Sequence, residues 1–286
     1  TVAPTVSTTL PASGAASVAL NSSVTINWSE NVNCTSVSTG TVTISPAAGW
    51  TMTSCNGSQS VFTPSGQGSF TTYTITVTTG VTDAIGNPMA ANYPFSYTTS
   101  DVTAPNVTAF TATSPSTSLN IPIPSFTATD NALVTGYKIT TSPTPPLAGD
   151  PGWTGTAPST YTVGADGTYI LYPWAKDAAG NVSAVFGTPG IVTVDTAAPT
   201  VSTTIPTSGA TGVALNDTVT INWTENIDCS TVSASTVTIS PATGWTRMSC
   251  TGSQAVFSPA GQANSTMYTL TVTTAVKDIA GNSITL

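Results

Sequence analysis

Val24-Thr-Ile-Asn-Trp28 sets Val24, Ile26 and Trp28 against Thr25 and Asn27. This alternation has the period of a strand with one face in a core and the other in water. The same five residues return as Val219-Thr-Ile-Asn-Trp223, 195 positions later. Outward from that pair, Thr1–Ala91 and Thr196–Leu286 align without insertion or deletion, and 57 of 91 positions are identical. The segment between them, Asp101–Asp195, is different, so the chain reads A–B–A′.

The period of two continues through A at Val42 and Ile44, at Tyr73, Ile75 and Val77, and at Tyr93, Phe95 and Tyr97. A′ repeats it at Val237 and Ile239 and at Tyr268, Leu270 and Val272. Turn residues separate the runs: Pro11-Ala-Ser-Gly14, Asn56-Gly57, Pro64-Ser-Gly66 and Asp83-Ala-Ile-Gly-Asn87. In B, strands are expected at 120–124, 125–130 and 134–139 and along Gly167–Ser183, with an exposed long turn through 143–152. No stretch carries a helical period with caps. The expected fold is all-β: three tandem antiparallel β-sandwiches over 1–101, 102–195 and 196–286. The linkers Asp101-Val-Thr-Ala-Pro105 and Asp195-Thr-Ala-Ala-Pro199 each end in a proline that fixes φ and holds its predecessor extended. Such joints are expected to give an elongated, semi-rigid rod. A counterpart of Asn92–Tyr97 is missing from A′, for which two readings are open. Either the sequence is a window of a longer repeat array, or another subunit supplies the strand in trans and a fibre results.

Only 6% of residues are charged, against about 25% in an ordinary soluble domain. A net charge of −8 with four Lys and Arg residues offers nothing to neutralise phosphates, which argues against nucleic acid. No apolar run approaches the roughly 20 residues that span a bilayer. The Thr-, Ser- and Asn-rich composition points to an extracellular or cell-surface location. Cys34 and Cys55, and Cys229 and Cys250, share a spacing of 21 residues. This predicts two intradomain disulfides formed in an oxidising compartment. Zinc is disfavoured because the chain has no Cys-x-x-Cys and no histidine.

The absence of histidine also removes the Ser-His-Asp and Cys-His devices. Glu30 and Glu225, the two glutamates, occupy matching repeat positions two residues after a tryptophan. They are expected to be strand-end residues satisfied by backbone donors. No catalytic residue is assigned and the chain is expected not to be an enzyme. Asp83, Asp177 and Asp278 each open an Asp-x-x-Gly-Asn turn. They read first as Asx-type turns, in which the carboxylate binds nearby N–H groups. The competing reading is Ca²⁺ at the domain joints, with Asp101 and Asp195 from the linkers as further oxygen ligands. Trp28 and Trp223 are assigned to the core; Trp50 and Trp245 read first as packing over the disulfides, with carbohydrate stacking at a strand start as the competing reading. Trp153, in the loop-rich part of B, is the candidate carbohydrate platform.

Segment A resembles the bacterial immunoglobulin-like domains repeated in surface-layer proteins and adhesins. The resemblance is carried by Ala3-Pro-Thr-Val6, Pro11-Ala-Ser-Gly14, Val24–Glu30, Tyr73-Thr-Ile-Thr-Val77 and Asp83-Ala-Ile-Gly-Asn87. Gly167–Ser183 of B is similar to the late strand and turn of fibronectin-type-III-like modules, which serve as spacers in large secreted proteins. The resemblance implies a non-enzymatic structural or adhesive protein, a stalk, fibre or filament subunit. Its expected partners are copies of itself, joined head to tail or by strand donation, or further repeats of a longer chain. The alternative is an accessory carbohydrate-binding or spacer region of a secreted polysaccharide-degrading enzyme.

Overall fold

The computed structural model describes residues 2–285; Thr1 and Leu286, the outer ends of the expected first and last segments, lie outside the described residues. Among the described residues there are 21 strands and no helix. Segment A contributes β1 (Val6–Leu10), β2 (Ala15–Val18), β3 (Val24–Trp28), β4 (Val42–Ser45), β5 (Gly49–Cys55), β6 (Gln59–Ser65), β7 (Thr72–Val77) and β8 (Tyr93–Thr99). They form two sheets, β1-β3-β6-β5 and β2-β8-β7-β4. The alternation does what its period requires. Val24, Ile26 and Trp28 of β3, and Tyr73, Ile75 and Val77 of β7, are buried in one cluster with Phe62, Phe95 and Tyr97.

One pairing corrects the expected antiparallel plan, because β2 runs parallel to β8. The chain leaves β1 through the Pro11–Gly14 turn and passes to the other sheet without reversing. It therefore meets the last strand of A in the same direction.

Segment B contributes β9 (Asn106–Thr111), β10 (Asn120–Pro122), β11 (Ser125–Thr129), β12 (Val134–Thr140), β13 (Thr160–Thr162), β14 (Gly167–Asp177) and β15 (Gly190–Val194). They pair as β12-β14-β15, β9-β11 and β10-β13. A second apolar cluster lies inside, built on Val107, Phe110, Ile121, Leu171 and Val192. The turn through 143–152 is largely exposed, as expected, and it is also tied down. Trp153 donates its indole N–H to Leu147 O at 3.0 Å. Lys138 and Lys176 donate to Pro151 O and Ala148 O, and their ammonium groups lie 5.8 and 5.1 Å from the Trp153 ring centroid. Gly136 makes room for one of them, since a Cβ there would meet Lys176 Cε at 2.7 Å. Trp174 alternates out of the Leu171 cluster yet is fully buried, its N–H bonded to Thr140 Oγ1.

Segment A′ contributes β16 (Val201–Ile205), β17 (Val219–Trp223), β18 (Val237–Ser240), β19 (Gly244–Thr251), β20 (Gln254–Ala260) and β21 (Thr269–Val272). The sheet β16-β17-β20-β19 reproduces its counterpart in A. The other sheet is reduced to β18-β21 among the described residues. Leu270 and Val272 are half-buried where Ile75 and Val77 are fully buried.

Both cysteine pairs are joined, Cys34 to Cys55 and Cys229 to Cys250, with Cα atoms 5.8 and 5.7 Å apart. Trp50 and Trp245 pack against the same cores as Cys55 and Cys250. They stack on Phe62 and Phe257 at centroid distances of 5.0 and 4.9 Å, and donate their N–H groups to Val42 O and Val237 O. The two core tryptophans differ in one respect. Trp28 Nε1 donates to Ser60 Oγ at 3.0 Å, whereas the matching residue in A′ is Ala255 and Trp223 Nε1 is buried with no partner. An unpaired buried donor costs about 1–3 kcal/mol. Ala255→Ser is therefore expected to stabilise A′ by about 1 kcal/mol, and Ser60→Ala to destabilise A by at least as much, measured as separate shifts in calorimetry.

Candidate functional site

Chemistry-bearing side chains gather at the two linkers. Each Asp-x-x-Gly-Asn segment folds as the Asx-type turn that its sequence suggests. Asp83 Oδ1 accepts from the N–H groups of Ile85 and Asn87, and Gly86 takes φ +94°. Asp177 accepts from Asn181 N at 2.9 Å and Asn181 Nδ2 at 2.7 Å. Asp278 accepts from Asn282 N and Nδ2, both at 2.8 Å. In the second and third of these turns the last Asn also reaches the preceding linker. Asn181 Nδ2 lies 3.3 Å from both Asp101 O and Thr103 O, and Asn282 Nδ2 lies 2.8 Å from Asp195 O. A turn inside each downstream segment thus clasps the linker that leads into it.

The same turns bring carboxylates together. Oxygens of Asp101, Asp130 and Asp177 lie within 4.8 Å of one another at the first joint, as do those of Asp195, Glu225 and Asp278 at the second. Of the five aspartates expected near calcium, four therefore fall into two clusters. Asp83 joins neither and sits beside Glu30, Asn31, Ala84 and Ile85 in an open hollow. Asp130 and Glu225 are additions. Glu225 carries a signal that the sequence did contain, since it repeats Glu30 just as Asp278 repeats Asp83. Asp130, in B, has no repeat to mark it.

The glutamates depart from the expectation of backbone satisfaction. Glu30 Oε1 is buried with no hydrogen-bond partner, and Asp130 Oδ1 is in the same state. Like charges at these separations repel by between about 1 and 3.5 kcal/mol per pair, from bulk water to a protein surface. Burial, and then the nearby charges of Asp195 and Asp278, raise the Glu225 carboxyl above its ordinary range. Burial also pushes Asp101 upward, but the Ser69 hydroxyl, the Thr103 N–H and the Asn131 amide outweigh it and hold that carboxyl low. Those donors come from both sides of the joint: Ser69 from A, at 2.8 Å, and Asn131 from B, at 3.3 Å.

Oxygen donors in this number suit a hard divalent cation, and the partnerless Asp130 oxygen leaves a lone pair for one. Trp153 offers less as a sugar platform than the sequence suggested, because two lysine ammonium groups lie over its ring and its N–H is used within the loop.

No helix of the described residues is long and apolar enough to cross a membrane. Chitinase A1 of Niallia circulans is 34% identical over 186 residues, covering 64% of this chain and 25% of that protein. Exoglucanase A of Cellulomonas fimi is 32% identical over 132 residues, covering 45% of this chain and 14% of that protein. The chain thus spans a quarter or less of the curated relatives it matches. Among solved structures it is similar to protocadherin gamma B2 extracellular cadherin domains, at 13% identity, with a TM-score of 0.43 and coverage of 92% and 70%. Surface layer protein SbsC, domains 1–6, matches at 12% identity, with a TM-score of 0.27 and coverage of 96% and 53%. Residues 1–99 and 195–286, most of the chain, match the family model described as bacterial Ig-like domain. With its paired β-sheets, its repeated cores and that match, the chain belongs to the bacterial Ig-like domain family.

Proposed function

We propose that this chain is a non-catalytic extracellular spacer, a stalk, fibre or filament segment whose task is to hold what it carries at a fixed distance and angle. The observation that carries this reading is the repeated clasp. At both joints the Asn that ends an Asp-x-x-Gly-Asn turn donates to the carbonyl of the linker Asp, Asn181 to Asp101 and Asn282 to Asp195. A loose tether would have no use for the same contact at two joints whose flanking segments differ in sequence. The disulfides and the near-absence of charge suit an oxidising, salty exterior.

A second reading draws on the two curated relatives. In it the chain is an accessory region of a secreted polysaccharide-degrading enzyme, serving as spacer or carbohydrate binder. Small-angle scattering and sedimentation with insoluble chitin and cellulose together separate the readings. The spacer is expected to have a radius of gyration well above the roughly 19 Å of a compact chain of this length, and to stay in the supernatant. Asn181→Ala with Asn282→Ala is expected to broaden the distribution of dimensions while the cores still melt cooperatively. A compact particle, or scattering unchanged by the two substitutions, would sink the clasped-spacer reading. Strong sedimentation with a polysaccharide would favour the binding role.

A further inference from the structure

In segment A, β8 lies between β7, to which it runs antiparallel, and β2, to which it runs parallel. It sends Phe95, Tyr97 and Thr99 into the core, and all three are buried. Segment A′ keeps both flanks of that strand. β21 matches β7, and residues 210–215 match Ala15–Leu20. Among the described residues no strand lies between them. We propose that this interval is a peptide-binding groove. It takes up one extended, uncharged segment with aromatic side chains at alternate positions, antiparallel to β21 and parallel to 210–215, and Gln262 reads a tyrosine hydroxyl in it.

The opening is local. Val232, Val237, Val276 and Ile284 are buried, so the far half of the A′ core is closed. Along the groove, Tyr268, Leu270 and Val272 are half-buried, whereas Tyr73, Ile75 and Val77 are buried beneath β8. Val213 and Leu215 are 44% and 48% exposed, where Val18 and Leu20 are half-buried. An apolar floor beside a free strand edge is the setting in which a peptide adds a strand: main-chain bonds give affinity, and alternate side chains give specificity. Neither β21 nor 210–215 carries a charge, so a charged side chain pointing inward would be buried without a partner.

The polar frame of the groove is set without the strand. In A, Gln67 Oε1 accepts from Asn21 N at 2.9 Å, Asn21 Oδ1 accepts from Gln67 N, and Gln67 Nε2 donates to the Tyr97 hydroxyl at 2.7 Å. In A′, Gln262 Oε1 accepts from Asn216 N at 2.9 Å, and Asn216 Oδ1 accepts from Gly261 N at 3.0 Å. Asn216 has φ +60°, as Asn21 has +59°. Tyr268 Oη accepts from Ala263 N just as Tyr73 Oη accepts from Gly68 N. An amide held through its oxygen in this way presents its NH₂ group where, in A, the tyrosine hydroxyl lies. The occupant that fits is therefore a segment with the pattern of β8, its phenylalanine opposite Leu270 and its tyrosine opposite Tyr268, as Phe95 and Tyr97 stand opposite Ile75 and Tyr73.

The probe is the peptide Asn92–Ser100, labelled and titrated with the whole chain by fluorescence anisotropy. Saturable binding of one peptide per chain is expected. Excess peptide should raise the melting transition of A′ and leave those of A and B in place. A peptide carrying Phe95→Asp is expected not to bind. One carrying Tyr97→Phe should bind more weakly by a factor of about 2–12, the worth of one neutral hydrogen bond. Gln262→Leu in the chain should weaken the natural peptide by the same factor and leave the Tyr97→Phe peptide unaffected. Equal losses for the two peptides would overturn the role of Gln262. No saturation below millimolar peptide, equal binding of the Phe95→Asp peptide, or a shift in A instead of A′ would overturn the groove. So would a dimer in sedimentation equilibrium that pairs β21 with that of a second copy and is not dispersed by the peptide. The groove would give the spacer a means of attachment, but the Asn clasps lie elsewhere, so its failure would leave the scattering test of the spacer reading standing.

Discussion

Phe62→Ala is expected to destabilise segment A by about 3–5 kcal/mol. Phe62 is fully buried and stands where β3, β5 and β6 meet, opposite Val24 on one side and Met52 on the other. Its ring also carries Trp50, stacked at an interplanar angle of 8°. The truncation therefore leaves a cavity and removes the surface on which an indole rests, and neither loss is repaired by small shifts in a close-packed interior. For a domain of this size each kcal/mol moves the midpoint by about 4–8 °C, so the transition of A should fall by at least about 12 °C. Segments B and A′ provide the control within the same scan. Their transitions should stay in place, because their apolar clusters share no residue with that of A. A shift confined to a degree or two would mean that the core of A does not depend on this ring.

Replacing Cys34 and Cys55 together by Ser is the second large effect. The bond closes a loop with a sequence separation of 21 residues. In the chain-entropy model this corresponds to roughly 3 kcal/mol of stabilisation. Both cysteines are changed so that no free thiol remains to pair elsewhere. Chemical denaturation should show A unfolding at lower denaturant while A′, holding Cys229–Cys250, is unaffected. Equal midpoints with and without the bond would mean that the loop is already restricted in the unfolded chain.

What the sequence revealed was what local pattern controls. A two-residue period needs only neighbours, so the inward sets of β3, β7, β17 and β21 could be read directly. The cysteine pairs could also be read, because a repeat displays the same spacing twice. Three features depend on non-local geometry and could not be. Trp174 keeps company with Tyr172 and Lys176 on one side of β14, which in the sequence marks a wet face, yet it is buried. The parallel run of β2 beside β8 follows from a crossing between sheets that no residue pattern announces. The carboxylate clusters draw on residues 29 to 83 positions apart, and only the fold brings Asp130 to Asp101.

The position of the disulfides has a consequence for a chain under tension. Cys34 and Cys55 bracket the polypeptide that contains β4 and β5, and Cys229 and Cys250 bracket its counterpart. Pulled from its ends, an unfolded repeat gains contour length only from residues outside the bracket. Each bond withholds about 70 Å, from 21 residues at roughly 3.3–3.6 Å each. Each A-type repeat therefore yields about a fifth to a quarter less length on unfolding than its residues would allow, whereas B, which has no bond, yields all of its own.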